Sequence, residues 1–82
     1  MLFMVEFQLK PGSKNAAVEA FEARGPNRNP GLKFVGAWVG SKSDIGFVLV
    51  ESADEKFIVE AGQDWPELGD YKIHPVIDVQ HY

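Results

Sequence analysis

The side chains best suited to move a proton near neutral pH are the two histidines, His74 and His81, and the carboxylates that could orient them. His74 lies in "YKIHPVIDV", residues 71–79, where Tyr71, Ile73, Pro75, Ile77 and Val79 alternate with Lys72, His74, Val76 and Asp78. That alternation predicts a strand with one apolar row and one mixed row, and His74 belongs to the mixed row. Glu6 holds the equivalent place in "LFMVEFQL", residues 2–9. A carboxylate beside an imidazole favours the protonated ring and fixes its tautomer, which is how an acid–base pair is built. The same pair serves as a polar fastener between subunits, and we favour that use because such pairs also occur in structural networks.

Glu51 closes the run "IGFVLVE", residues 45–51, on the row expected to face helices, where it could act as a base at a pocket mouth or pair with an arginine. Arg24 and Arg28 make a positive spot on an acidic chain, although Arg24 also suits the last turn of a helix, where a cation offsets the dipole. Gly36 sits mid-strand between Phe34 and Trp38, on the same expected helix-facing row. Its missing side chain leaves a gap that Phe7, Phe21, Phe47 and Trp65 could line as a pocket for a small apolar molecule, or makes room for tryptophans that fill the core. His74 and Asp78 are four residues apart, about 13 Å along a strand, which is too far to share an ion. No metal site is expected, and no phosphate loop or dinucleotide glycine pattern calls for a cofactor.

The elements that must position these residues follow from the pattern. Residues 2–9 form a first strand ended by Lys10-Pro11-Gly12, and Ser13 can cap a helix carrying Ala17, Val18 and Phe21 that stops at Gly25-Pro26. Residues 32–39 and 45–51 flank the short polar loop "GSKSD" and should pair as a hairpin. Ser52-Ala53-Asp54-Glu55 matches a capping box, followed by Phe57, Ile58, Ala61 and Trp65 at helical spacing up to Pro66. With the strand from Tyr71 the order is βαββαβ. This is an α+β, ferredoxin-like arrangement, a four-stranded antiparallel sheet in spatial order 4-1-3-2 with two helices on one face. Strands one and four are then neighbours, and Glu6 shares a face with His74.

Alternation places Phe3, Val5, Phe7, Leu9, Leu32, Phe34, Trp38, Ile45, Phe47, Leu49, Tyr71, Ile73, Ile77 and Val79 under the helices. The opposite face would carry Leu2, Met4, Glu6, Val35, Ala37, Val39, Val48, Val50, His74 and Val76. Left bare, its apolar centre exceeds what most soluble monomers expose. A homodimer with Met4, Glu6, Val35, Ala37, Val48, Val50, His74 and Val76 at its interface is therefore expected.

Composition narrows the setting. A chain of 82 residues is one domain, residues 1–82, and 0 cysteines leave it no disulfide to offset a small core. The N-terminal "MLFMVEFQLK" has no basic leader and is too short for a span, so a cytoplasmic protein with no membrane partner is expected. A net charge of -4, without basic blocks, argues against nucleic acid as a partner.

"FMV" at 3–5, "RG" at 24–25, "PGL" at 30–32, "WV" at 38–39, Glu51, Trp65 with Leu68, and "PV" at 75–76 together resemble a family of small bacterial proteins known only as a domain of unknown function. That family is similar to the dimeric α/β-barrel superfamily, which includes cofactor-independent antibiotic-biosynthesis monooxygenases, muconolactone isomerases and stress-responsive barrel proteins. The resemblance implies two subunits with sheets face to face and a small, often aromatic, organic ligand in the cleft between sheet and helices. It nominates Trp38, Phe47 and Trp65 as walls, with Arg24 and Glu51 as nearby polar groups. No asparagine-tryptophan-histidine set is placed as in the monooxygenases.

Overall fold

The computed structural model describes residues 1–24, 31–63 and 69–82, with only the main chain of Arg24. The elements are β1 (Leu2–Gln8), α1 (Lys14–Arg24), β2 (Lys33–Val39), β3 (Ile45–Glu51), α2 (Lys56–Gly62) and β4 (Asp70–Val76), followed by a 3-10 turn at Val79–His81. All strand pairs are antiparallel and the sheet order is β2-β3-β1-β4, as the sequence predicts.

Local chemistry explains how the chain leaves β1. Ser13 N–H donates to the Lys10 carbonyl at 3.0 Å across a turn in which Gly12 takes φ +79°. Pro11 at the second position and a left-handed glycine at the third make a type II turn. Ser13 stands just before α1, and its carbonyl accepts from Ala17 N–H at 2.9 Å. Its hydroxyl turns back to the Lys10 carbonyl at 2.6 Å. Lys14 Nζ donates to the Gly40 carbonyl at 2.6 Å, tying the start of α1 to the β2–β3 hairpin.

The capping box expected before α2 does not form. Glu55 is already helical and makes no side-chain cap. Ser52, which is buried, donates its hydroxyl to the carbonyls of Gly31 at 3.0 Å and Asp54 at 2.9 Å. Asp54 Oδ1 accepts from Lys56 N–H at 2.9 Å instead. A buried hydroxyl linking two loops outcompeted the reciprocal cap. Trp65, expected on this helix, lies outside the described residues.

The core is Phe3, Val5, Val50 and Ile58, with Phe7, Leu32, Val48 and Ile73 packed against it. Residues opposite one another in a ladder share a face, so the register assigns the rows. Phe3 faces Val50, Val5 faces Val48 and Phe7 faces Gly46 between β1 and β3. Phe3 also faces Pro75, Val5 faces Ile73 and Phe7 faces Tyr71 between β1 and β4. The helix side of β1 and β4 is as expected, but β3 has the opposite phase. Gly46, Val48 and Val50 lie under the helices, while Ile45, Phe47, Leu49 and Glu51 stand on the open face.

β2 changes phase midway. Phe34 pairs with Val50 and the next partners are Gly36 with Leu49, Ala37 with Val48 and Trp38 with Phe47. A bulge between Phe34 and Gly36 holds Val35 as the extra residue. Phe34 therefore packs beneath α1, its ring centroid 5.4 Å from that of Phe21, whereas Gly36 and Trp38 are carried to the open face. β4 ends at Val76, so Ile77 and Val79 lie beyond the sheet and not in its helix-facing row. Pro75, which has no N–H to donate, is tolerated because β4 is an edge strand.

Candidate functional site

The small residues that β3 turns toward the helices leave space there. Under α1, a cleft of about 290 Å³ is bordered by Leu9, Ala17, Phe21, Ala37, Val39 and Gly46, among others. A smaller cavity of about 80 Å³ lies toward α2 among Phe7, Phe34, Val48, Ile58, Ala61 and Tyr71. Both exceed the roughly 10–15 Å³ that admits one water, and the larger approaches the ~300 Å³ at which small-molecule sites begin. Their walls are almost wholly apolar, which suits an apolar or aromatic guest better than a charged one.

Among the described residues, the titratable groups that border these spaces are Glu22 at the larger cleft and Tyr71 at the smaller. Neither was singled out from the sequence, since Glu22 reads as an outward helix position and Tyr71 as core. Trp38 and Phe47 also border the larger cleft, although the register turns their side chains to the far side of the sheet. A strand presents main chain to both faces, so the two observations agree. Phe7 and Phe21, which the sequence also places beside the expected pocket, supply aromatic side chains to the cleft wall.

The open face holds the other constellation. One row across the sheet reads Trp38, Phe47, Glu6 and Lys72, and the next reads Gly36, Leu49, Met4 and His74. A Cβ on Gly36 would fall 2.8 Å from Cη2 of Trp38, so the indole lies back over that glycine. Gly36 is the floor of an aromatic side chain, not a gap beneath the helices. Trp38 remains 54 % exposed.

Glu6 and His74 meet on this face, with His74 Nε2 3.5 Å from Glu6 Oε1 and side chains 38 % and 48 % exposed. They sit diagonally, Glu6 opposite Lys72 and His74 opposite Met4. While exposed, such a pair contributes at most about 1 kcal/mol. Glu51 is also on this face, exposed and opposite both Leu2 and Lys33, so it stands on the far side of the sheet from the cleft. Of the interface residues expected from alternation, Met4, Glu6, His74 and Val76 are on the open face. Ala37, Val48 and Val50 are on the helix face, and Val35 is exposed at the bulge. The Arg24 side chain and Trp65 lie outside what is described.

A family described as Domain of unknown function (DUF3303) matches residues 1–82. The chain belongs to that family. No curated protein and no solved structure matches it. For this DUF3303 domain the ferredoxin-like fold therefore stands on the architecture itself, and membership supplies no activity. Among the described residues, no helix is long and apolar enough to cross a membrane.

Proposed function

We propose that this DUF3303 domain is a cytoplasmic homodimer that binds a small apolar or aromatic molecule between its sheet and helices. The observation that carries the reading is the 290 Å³ apolar cleft beneath α1, left by Gly46, Ala17 and Ala37 in a domain too small to leave such space without cost. The dimer is supported by the open face, where Trp38, Phe47, Leu49, Met4 and Leu2 form the kind of continuous apolar surface that marks an interface.

Gly46 gives the direct test. A Cβ there meets only ordinary contacts, 3.7 Å to the Trp38 carbonyl, 3.9 Å to Val39 and 4.0 Å to Leu9, so a larger side chain can enter the cleft. Gly46→Leu should keep the fold, judged by circular dichroism, and weaken binding of N-phenyl-1-naphthylamine at least tenfold. Equal affinity of the two proteins for the probe would remove the cleft as the site.

A second reading, a cofactor-independent enzyme of monooxygenase or isomerase type, is favoured by the Glu6–His74 contact. The sheet separates that pair from the cleft. Acid–base chemistry by Glu6 and His74 therefore requires a substrate held against the open face beside Trp38 and Phe47, whereas among the described residues Glu22 borders the cleft and Tyr71 the smaller cavity.

A further inference from the structure

Residues 77–82, "IDVQHY", leave the edge of the sheet after Val76, which pairs with Leu2 on the open face. The segment is held in a fixed shape. Asp78 Oδ1 accepts from Gln80 N–H at 2.8 Å, His81 N–H donates to the Asp78 carbonyl at 2.9 Å, and Tyr82 N–H to the Val79 carbonyl at 3.2 Å. An Asx-type turn of this kind orders a segment without help from the core. What it orders is apolar and uncovered: Ile77 is 60 %, Val79 89 % and Tyr82 96 % exposed. Single exposed apolar residues need no explanation, but three on one ordered six-residue turn beside an uncovered sheet form a surface.

Area indicates what covers it. Four strands about 4.8 Å apart, each of seven residues at about 3.3 Å, give the open face a flat footprint on the order of 450 Å². A standard interface takes roughly 800 Å² from each partner. Tyr82 alone adds on the order of 200 Å² when covered, and Ile77 and Val79 bring the rest within reach. Ile77, Val79 and Tyr82 stay exposed, so the turn does not pack on its own sheet, and it follows directly from Val76 at the β4 edge.

We infer that residues 77–82 form an arm that packs against a second copy of the chain, completing the face-to-face interface with Ile77, Val79 and Tyr82. The inference rests on the proposed homodimer. A two-fold contact places two such arms in each dimer, one from each subunit, so a lesion in the arm acts twice.

The test is sedimentation equilibrium of three proteins, the wild type, the double variant V79S/Y82S and F47K. Val79 and Tyr82 are almost fully exposed, so the double variant should fold as the wild type does. The expected result is a wild-type dimer, a double variant whose dimer dissociates at a concentration at least tenfold higher, and a monomeric F47K. A double variant with the wild-type dissociation constant, beside a monomeric F47K, would overturn the arm and leave the dimer standing. A monomeric wild type would overturn both.

Discussion

At the scale of single residues, Trp38 and Gly36 show how one missing Cβ shapes a surface. The indole lies back over Gly36 on an edge strand, covering main chain that would otherwise face water. Gly36→Val places carbon where the indole now lies, so Trp38 must turn outward. The expected result is a red-shifted tryptophan emission and a dimer weakened about tenfold, with the thermal midpoint changed little; an unchanged spectrum would show that the ring does not rest there. Glu6 and His74 give the second residue-level prediction. Covered by a partner sheet, the pair cannot lose one member without leaving the other desolvated, a loss of about 2 kcal/mol or more. Glu6→Gln and His74→Ala should each raise the dimer dissociation constant at least tenfold while leaving binding of the naphthylamine probe in the cleft unchanged. An unchanged dimer dissociation constant in both variants would remove the pair's role as a fastener. Their shared face was legible in the sequence because both stand in the mixed rows of neighbouring strands, whereas their contact was not, because alternation chooses a face and leaves the register open. Trp38 was not legible, because the bulge at Val35 inverts every side chain after it and nothing in "KFVGAW" marks a bulge apart from a mid-strand glycine.

At the scale of elements, β3 is the strand that alternation misassigns, for a physical reason. Both of its rows are apolar, Ile45, Phe47 and Leu49 on one side and Gly46, Val48 and Val50 on the other, so hydrophobicity cannot choose the phase. Size suggested the large row for the core. The chain uses the small row there, which opens the clefts and places the large side chains on the uncovered face. Turn chemistry was easier to read. The Pro11-Gly12 turn and the hairpin loop after Gly40 form where the residue types require them, whereas the Ser52 bond to the Gly31 carbonyl depends on a partner 21 positions away that local sequence does not reveal. Removing that hydroxyl in Ser52→Ala should cost about 1 kcal/mol, read as a fall in the urea midpoint, because the part-buried Gly31 and Asp54 carbonyls lose the donor they share. Gly69 is a stricter case. It has φ +68°, and a Cβ there would lie 2.5 Å from the Gln8 carbonyl oxygen. Gly69→Ala should destabilise by about 2 kcal/mol or more and lower the thermal midpoint by roughly 10 °C in a domain of this size, whereas an unchanged midpoint would contradict the close approach of β4's start to β1's end.

At the scale of the whole molecule, the phase of β3 and the bulge in β2 act on the same two surfaces. A sheet that gives its small residues to the helices and its large ones to the open face is under-filled inside and adhesive outside. Fold class, strand order and the hairpin were legible because they depend on segment order and turn residues. The layout of the candidate site was not, because it depends on the phase of two strands. The proposed association through the open face would supply stability that a small core with 0 cysteines does not get from disulfides. Native mass spectrometry of the purified protein tests this most directly. The account predicts a species of twice the 9.1 kDa chain mass, reduced to the single chain mass in F47K. A wild-type protein that stays at the single chain mass at micromolar concentration would contradict it.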